Sequence, residues 1–148
     1  MIGAKSRRIL ITGGNAGLGL ALAKKLARRH KLLLSGRKSQ DEVAGTLPPG
    51  AGYVVADQDD PESSARVLVR GIGEFGWDGL DNAVLNAGTG TAPADGVDST
   101  EAIRRSLDVN LLAALLQAHA LYPLLEKSRG TLTLVGSVAH KGSATIPA

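Results

Sequence analysis

Residues 9–19 read Ile9-Leu10-Ile11-Thr12-Gly13-Gly14-Asn15-Ala16-Gly17-Leu18-Gly19, an apolar run followed by a glycine-rich segment. The apolar run predicts a buried strand, and the glycines predict a turn that leads into a helix. Such a turn directs backbone N–H groups and a helix N-terminus at one point, which creates an anion site. In a strand–helix–strand unit, the anion most often bound there is the pyrophosphate of a dinucleotide.

The glycine spacing separates the candidate phosphate loops. Gly13, Gly17 and Gly19 follow the pattern Gly-x-x-x-Gly-x-Gly. A nucleoside triphosphate loop needs a lysine after the last glycine, and Leu20 stands there. The form Gly-x-Gly-x-x-Gly fails as well, because Leu22 stands where its last glycine should be. A glycine-rich turn that only reverses the chain remains the alternative at this point.

Apolar runs and helical segments alternate along the rest of the chain. The strands are predicted at Arg8–Thr12, Lys31–Ser35, Gly52–Ala56, Leu80–Leu85 and Thr131–Val135. This alternation predicts an α/β fold, a Rossmann-like doubly wound parallel sheet in a three-layer αβα arrangement. Right-handed crossovers and one reversal after strand three predict the strand order 3-2-1-4-5.

Helices fill the intervals between the strands. They are predicted at Gly17–Arg29, in a short segment at Ser39–Ala44, from Pro61 after a cap at Asp59 or Asp60, and at Glu101–Lys127 after Ser99 or Thr100. Pro123 predicts a kink or break near Ala120 in the last of these. Thr89–Asp98 reads as a loop that borders a pocket, and Gly130 ends the long helix.

Length and composition limit the class of protein. The 148 residues suit one domain, residues 1–148, and the absence of cysteine excludes disulfides and thiolate metal sites. No metal site is predicted, since His30, His119 and His140 are scattered. The first residues are too polar for a secretory signal, and the apolar run at residues 111–116 is too short to span a bilayer. We expect a cytoplasmic protein without a membrane partner.

The net charge of +3 includes a basic cluster at residues 24–31. These cations fall at the end of the first predicted helix, where they complement the helix dipole. Leu18, Leu22 and Leu26 recur every four residues and predict a buried stripe that leaves the cations outside. With four aromatic residues in the whole chain, a solvated face is favoured over a nucleic-acid patch.

Four further segments follow or face the predicted strand ends. They are Asp57 after strand three, Leu85-Asn86-Ala87-Gly88 after strand four, Val109-Asn110 within the long helix, and Gly136-Ser137 after strand five. Together with residues 12–19, they resemble the short-chain dehydrogenase/reductase family along the whole chain. The resemblance implies an oxidoreductase that transfers hydride between a nicotinamide cofactor and a small-molecule carbonyl or alcohol.

The resemblance also implies roles for individual residues. Cofactor contacts fall to Thr12, Gly13, Asn15, Ala16, Gly17, Leu18 and Gly19, to Asp57 at the adenine amino group, and to Asn86, Ala87 and Gly88. Gly13 and Gly17 would leave room for the pyrophosphate, and Gly19 would bring the helix close to the sheet. Ser137 and Asn110 are the implied catalytic residues, with Asn110 in a helix distortion that holds a relay water.

Each of these residues has a plainer interpretation. Asp57 suits a helix cap or turn, Asn86 and Gly88 suit a turn, and Ser137 suits a strand end. Asn110 is a poor mid-helix residue, and if buried its amide must be hydrogen-bonded. A hydrolase is not predicted, because the segment after Ser137 lacks the glycine of a nucleophile elbow.

The end of the second predicted strand narrows the cofactor. An NAD enzyme needs an acidic residue there for the ribose diol, and Gly36 stands in its place. Arg37 follows, and its guanidinium suits a 2′-phosphate. We therefore predict NADP(H) in preference to NAD(H), with NAD(H) still possible and an exposed arginine as the alternative.

The family resemblance extends to a Tyr-x-x-x-Lys motif expected just past Ala148. No tyrosine follows Tyr122 in this sequence, so the resemblance implies about the first two thirds of a family member. The alternative function is an inactive NADP(H)-binding or sensor module. Relatives commonly form homo-oligomers through the long helix. With strand five as an open edge, we expect the 148-residue chain to self-associate or to have low stability.

Overall fold

A computed structural model describes residues 5–90 and 98–137 of the chain. The strands are β1 (Arg8–Thr12), β2 (Lys31–Gly36), β3 (Gly52–Val55), β4 (Asn82–Leu85) and β5 (Thr131–Leu134). The helices are α1 (Gly17–Leu26), α2 (Gln40–Val43), α3 (Pro61–Glu74), α4 (Thr100–Leu107) and α5 (Ala113–Ser128). A π-helical turn (Asp108–Leu112) joins α4 to α5. The segments 91–97 and 138–148, which include most of the predicted loop and the approach to the expected tyrosine, lie outside the described residues.

The five strands form one sheet in the order β3-β2-β1-β4-β5, and each pairing is parallel. This confirms the predicted doubly wound fold and its strand order. Leu10 of β1 lies between Leu33 of β2 and Ala83 of β4, and all three are fully buried. Continuous apolar runs such as Leu32–Leu34 arise because helices cover both faces of a parallel strand.

Side chains of successive strand residues enter two separate cores. On one face, Leu10, Leu33 and Leu85 pack against residues of α3 and α5, among them Leu68 and Leu121. On the other face the cluster consists of Ile9, Ile11, Leu32, Leu34, Val84 and Ala23 of α1. The alternation follows from the two-residue period of a strand, and it gives the predicted three layers.

Helix starts agree with the sequence, and one predicted helix face is correct in part, since Leu22 and Leu26 of α1 pack against the second core. Asp60 caps α3 by accepting a hydrogen bond from the Ser63 N–H at 2.9 Å, and Ser99 caps α4 through the Ala102 N–H at 3.1 Å. However, Leu18 is 64% exposed, so it does not belong to the buried stripe of α1. The buried residues of α1 are Gly19 and Ala23, and Leu18 faces a cavity rather than the sheet.

Several element ends differ from the prediction by a few residues. The first helix ends at Leu26 rather than Arg29, because the N–H groups of Arg29 and His30 both bond the Leu26 carbonyl and turn the chain into β2. β4 begins at Asn82 rather than Leu80, whose N–H bonds the Leu124 carbonyl of α5 instead of a strand.

The long helix changes geometry at a different place from the predicted one. α5 continues through Pro123, so of the predicted kink or break near Ala120, the break does not occur. Proline removes one backbone donor, and both Pro123 and His119, whose carbonyl loses that donor, are exposed. The departure from α-helical geometry occurs instead at the π-helical turn, which contains Asn110.

An ionic cluster fastens the edge of the sheet opposite to the carboxyl ends. The Arg8 guanidinium donates to Asp78 at 2.9 Å, to Asp81 at 3.2 Å and to the Ser128 hydroxyl at 2.9 Å. The Asp81 carboxylate also accepts the Arg8 backbone N–H at 2.7 Å. These bonds join β1, α5 and the segment before β4. They stabilise the end of the sheet opposite to the loops that contain the predicted site residues.

Candidate functional site

A cavity of about 450 Å³ opens at the carboxyl ends of β1, β2, β3 and β4. This edge is where open α/β sheets bind ligands. Most of the predicted cofactor residues line it: Gly13, Asn15, Ala16, Gly17, Leu18, Arg37, Asp57, Asn86, Ala87 and Gly88. Thr12 and Gly19 do not, and neither do Asn110 and Ser137. The structure thus brings most of the predicted cofactor residues together around one cavity, and the two predicted catalytic residues are not part of its lining.

The glycine loop leaves the N-terminus of α1 open to this cavity. Ala16 precedes the first turn and has no side-chain acceptor for the free N–H groups, and that turn contains no acidic residue. Gly17 has a φ of +49°, and a Cβ there would enter open space. Uncapped N–H groups at the positive end of a helix dipole suit an anion. The residues present therefore fit the pyrophosphate of a dinucleotide.

Gly19 lies against the loop rather than against a strand. A Cβ at Gly19 would overlap the Gly13 carbonyl oxygen and would stand 2.7 Å from the Asn86 amide nitrogen. Gly13 has a φ of +64°, and a Cβ there would stand 3.0 Å from the Ala87 Cα. Three segments of backbone thus approach each other so closely that only glycine fits at both positions.

Thr12 and Asn86 tie the glycine loop to the end of β4. The Thr12 hydroxyl, 1% exposed as a residue, accepts the N–H groups of Asn86 at 3.0 Å and Ala87 at 3.1 Å. The Asn86 amide donates to the carbonyls of Thr12 at 3.1 Å and Gly13 at 3.4 Å. Both residues therefore fix the wall of the cavity. For Asn86 this is a more specific role than the formation of a turn.

We expect Thr12→Val to lower the free energy of unfolding by about 1–3 kcal/mol, because two part-buried N–H groups would lose their acceptor. Thr12→Ser keeps the hydroxyl and should cost less than about 1 kcal/mol, the value of one buried methyl group. Urea denaturation of the two variants measures the difference. Equal midpoints for valine and serine would show that the hydroxyl does not hold these loops together.

Asn110 fastens the backbone that follows β4. Its side-chain oxygen accepts the Thr89 N–H at 2.8 Å, and its NH₂ group donates to the Thr89 carbonyl at 2.9 Å and to the Ser106 hydroxyl at 3.1 Å. Asn110 is exposed, so the need to satisfy a buried amide does not explain these three hydrogen bonds. The π-helical turn agrees with the helix distortion implied by the resemblance. Ser137 is exposed and lies after β5, three residues beyond Leu134.

At the end of β2, the Asn15 and Tyr53 side chains occupy the space that a side chain at position 36 would take. A Cβ at Gly36 would overlap the Asn15 side-chain oxygen and would stand 2.8 Å from the Tyr53 hydroxyl. That hydroxyl donates to the Lys38 carbonyl at 3.0 Å. Asn15 and Tyr53 therefore fill the position from which an acidic residue would reach a ribose, and Arg37 and Lys38 face the cavity beside it.

Asp57 and Asp59 follow β3 and serve different purposes. One Asp57 oxygen accepts the Asp59 N–H at 3.0 Å, which is the turn interpretation of Asp57, and the residue also lines the cavity. Asp59 pairs with Arg105 of α4 at 2.8 and 3.0 Å and lies 3.9 Å from Arg37. The hydrogen bond from Arg105 holds the pKa of the Asp59 carboxyl below its usual value.

Seven residues of the cavity wall are not among the predicted cofactor contacts: Gly36 and Lys38, Gln58 and Asp59, Thr89, Arg105 and Val109. Most of these adjoin a predicted residue, so a wider window around each strand end would have found them. Arg105 had no such signal. It lies on a helix 46 residues after Asp59, and no spacing rule connects the two.

The site can be compared with known proteins. The family model for short chain dehydrogenase matches residues 7–147. A hydroxysteroid 11-beta-dehydrogenase 1-like protein of Danio rerio is 32% identical over 145 residues, which cover 93% of this chain and 50% of that protein. An uncharacterized oxidoreductase of Mycobacterium tuberculosis is 31% identical over 147 residues, which cover 93% and 57%. The chain thus spans about half the length of these relatives.

Solved structures share the fold. The NADH-dependent reductase A1-R′, responsible for alginate metabolism, superposes with a TM-score of 0.79 at 25% identity, over 96% of this chain and 63% of that one. The RhlG/NADP active-site complex of Pseudomonas aeruginosa also gives 0.79, at 23% identity, over 97% and 59%. Across residues 5–90 and 98–137, no helix has the length and apolar character needed to cross a membrane.

Proposed function

The chain belongs to the short-chain dehydrogenase family, and on that premise we propose that its cavity binds NADP(H) in preference to NAD(H). The proposed activity is hydride transfer between this cofactor and a small-molecule carbonyl or alcohol. The nicotinamide, when bound, supplies the hydride. The observation that carries the proposal is the open N-terminus of α1, which meets the cavity through Gly17 and an N-cap alanine.

The chain's own residues divide the binding work. The N–H groups of Gly17 and Leu18 would hold the pyrophosphate, and the second Asp57 oxygen would accept a hydrogen bond from the adenine amino group. Asn110 keeps a lone pair on its side-chain oxygen after accepting the Thr89 N–H. That lone pair would hold the relay water. The Ser137 hydroxyl would donate to the substrate oxygen.

The preference for NADP(H) rests on charge and space at the end of β2. Arg37 offers a guanidinium suited to a phosphate, and the Asn15 side chain stands where an acidic residue at position 36 would begin. The A1-R′ reductase has also been solved with NAD. The comparisons therefore support a nicotinamide dinucleotide without favouring NAD(H) or NADP(H). The proposed preference for NADP(H) rests on Arg37.

A face of apolar side chains supports the expected homo-oligomer. Four exposed apolar residues recur every four positions through α4, the π-helical turn and α5: Ile103, Leu107, Leu111 and Leu115. Their spacing places them on one side of the helical segment. We propose that this face meets a second copy. Self-association of the isolated chain and a cytoplasmic location stay predictions.

The test of this function combines nucleotide binding with turnover. We expect saturable binding of NADP⁺ by this chain and, in a protein that also carries the Tyr-x-x-x-Lys motif, consumption of NADPH when a panel of aldehydes and ketones is supplied. Binding without turnover across the panel would favour the second candidate, a module that binds NADP(H) without catalysis. That candidate is the alternative function named from the sequence. A protein that binds neither nucleotide would contradict both.

A further inference from the structure

Asp59 lies between two arginines that come from different parts of the fold. We propose that Arg105 is a positioning residue, which holds the Asp59 carboxylate away from Arg37 and so keeps Arg37 available for a 2′-phosphate. The inference rests on the proposed NADP(H) preference and adds a residue of α4 to its determinants. In this arrangement an acidic residue and a distant arginine jointly decide how strongly the β2 end attracts a phosphate.

The geometry of the three side chains is unequal. Arg105 donates from Nε to one Asp59 oxygen at 2.8 Å and from Nη2 to the other at 3.0 Å, which is a bidentate pair. The nearest Arg37 nitrogen, Nη1, lies 3.9 Å from Asp59, beyond hydrogen-bond distance. All three residues line the same cavity. Asp59 is thus bound to Arg105 and only near Arg37.

A carboxylate competes directly with a phosphate for a guanidinium. Both groups accept the paired N–H bonds of arginine in the same planar geometry. Among residues 5–90 and 98–137, Arg105 and Arg37 are the cations that lie within 4.0 Å of the Asp59 carboxylate, Arg105 at 2.8 Å and Arg37 at 3.9 Å. If Arg105 is removed, Arg37 becomes the remaining partner for Asp59. The phosphate must then displace that carboxylate before it can bind.

A simpler alternative is that the Arg105–Asp59 pair only fastens α4 to the segment after β3. Under that alternative, loss of either partner loosens the cavity for every nucleotide. Under our proposal, loss of Arg105 harms only the nucleotide with a 2′-phosphate, and loss of Asp59 as well relieves the harm. The two interpretations therefore differ in the double variant.

The experiment is a calorimetric titration with NADP⁺ and NAD⁺ of the wild type, Arg105→Ala, Asp59→Asn and the double variant. We expect Arg105→Ala to weaken NADP⁺ binding about three- to fivefold, the strength of an exposed ion pair, since Arg37, Asp59 and Arg105 are 62%, 36% and 47% exposed. NAD⁺ affinity should stay within about twofold, well inside the range of that same pair. The double variant and Asp59→Asn should bind NADP⁺ at least as tightly as the wild type.

Arg104→Ala is the matched control. It removes the same charge from the neighbouring position of α4, where the side chain is exposed and does not line the cavity, and it should leave both affinities unchanged. If Arg105→Ala does not fold, Arg105→Gln retains a neutral donor of similar reach and should give the same order of affinities in a milder form.

Three results would overturn the inference. Unchanged NADP⁺ affinity in Arg105→Ala would show that Arg105 does not support NADP⁺ binding. A double variant that binds NADP⁺ as weakly as Arg105→Ala would show that Arg105 does not act through Asp59. An equal loss of NAD⁺ affinity would favour the structural alternative. These outcomes leave the proposed function intact. A wild type that binds NAD⁺ as tightly as NADP⁺ would instead contradict the proposed cofactor preference, and this inference with it.

Discussion

Gly19→Ala is expected to destabilise the protein by roughly 3 kcal/mol or more, the upper part of the range for overpacking a tight site. The new Cβ would overlap the Gly13 carbonyl oxygen and press on the Asn86 amide. Neither neighbour can retreat easily, because the first is backbone and the second is bonded to the Thr12 carbonyl at 3.1 Å. The α1 N-terminus would therefore move away from the loop, and nucleotide binding should be lost as well.

Gly73→Ala provides the matched control for this substitution. Gly73 lies within α3, and a Cβ there would meet open space. The same change of one methyl group should stabilise the protein by up to about 1 kcal/mol, because alanine favours a helix interior. Thermal denaturation of both variants, with calorimetric titration of NADP⁺, measures the contrast. A Gly19 variant as stable as the Gly73 variant would contradict the packing of this loop.

Arg37→Ala is expected to weaken NADP⁺ binding roughly 10- to 100-fold, the usual range for loss of a charge-assisted hydrogen bond to a phosphate. NAD⁺ has no 2′-phosphate, so its affinity should change by less than about threefold, as for a neighbouring exposed charge. The preference between the nucleotides would then narrow or disappear.

The control for this loss of charge is Arg66→Ala. Arg66 is exposed on α3 and does not line the cavity, so its removal should change neither affinity. Titration of both variants at one salt concentration is the appropriate measurement, because exposed charges are screened by ions. Equal losses for NADP⁺ and NAD⁺ in Arg37→Ala would mean that Arg37 does not recognise the 2′-phosphate.

The fold was predictable because the relevant signals are local. The apolar run Leu32–Leu34 indicates a strand covered on both faces, and the sheet places it beside β1 as expected. Asp57, Asn86 and the glycine loop each follow a strand, so the strand order alone brings them to one edge. Much of the cavity wall could be inferred from sequence for this reason.

What the sequence did not reveal depends on tertiary contacts. The spacing of Leu18 predicted burial, but helical periodicity does not tell how far a helix extends beyond the sheet. Pro123 carried the strongest helix-breaking signal, and α5 nevertheless continues through it. The irregular turn forms around Asn110, whose partner Thr89 is 21 residues away. The Arg105–Asp59 pair is likewise set by the packing of α4 against distant loops.

We expect the cavity at the carboxyl edge of the sheet to bind a nicotinamide dinucleotide through the N-terminus of α1. Calorimetric titration of the protein with NADP⁺ and with NAD⁺ tests this most directly. We expect saturable binding of one nucleotide per chain. The affinity for NADP⁺ should be at least about tenfold higher than the affinity for NAD⁺, as expected for one added guanidinium–phosphate contact. Saturable binding of neither nucleotide by the folded protein would contradict it.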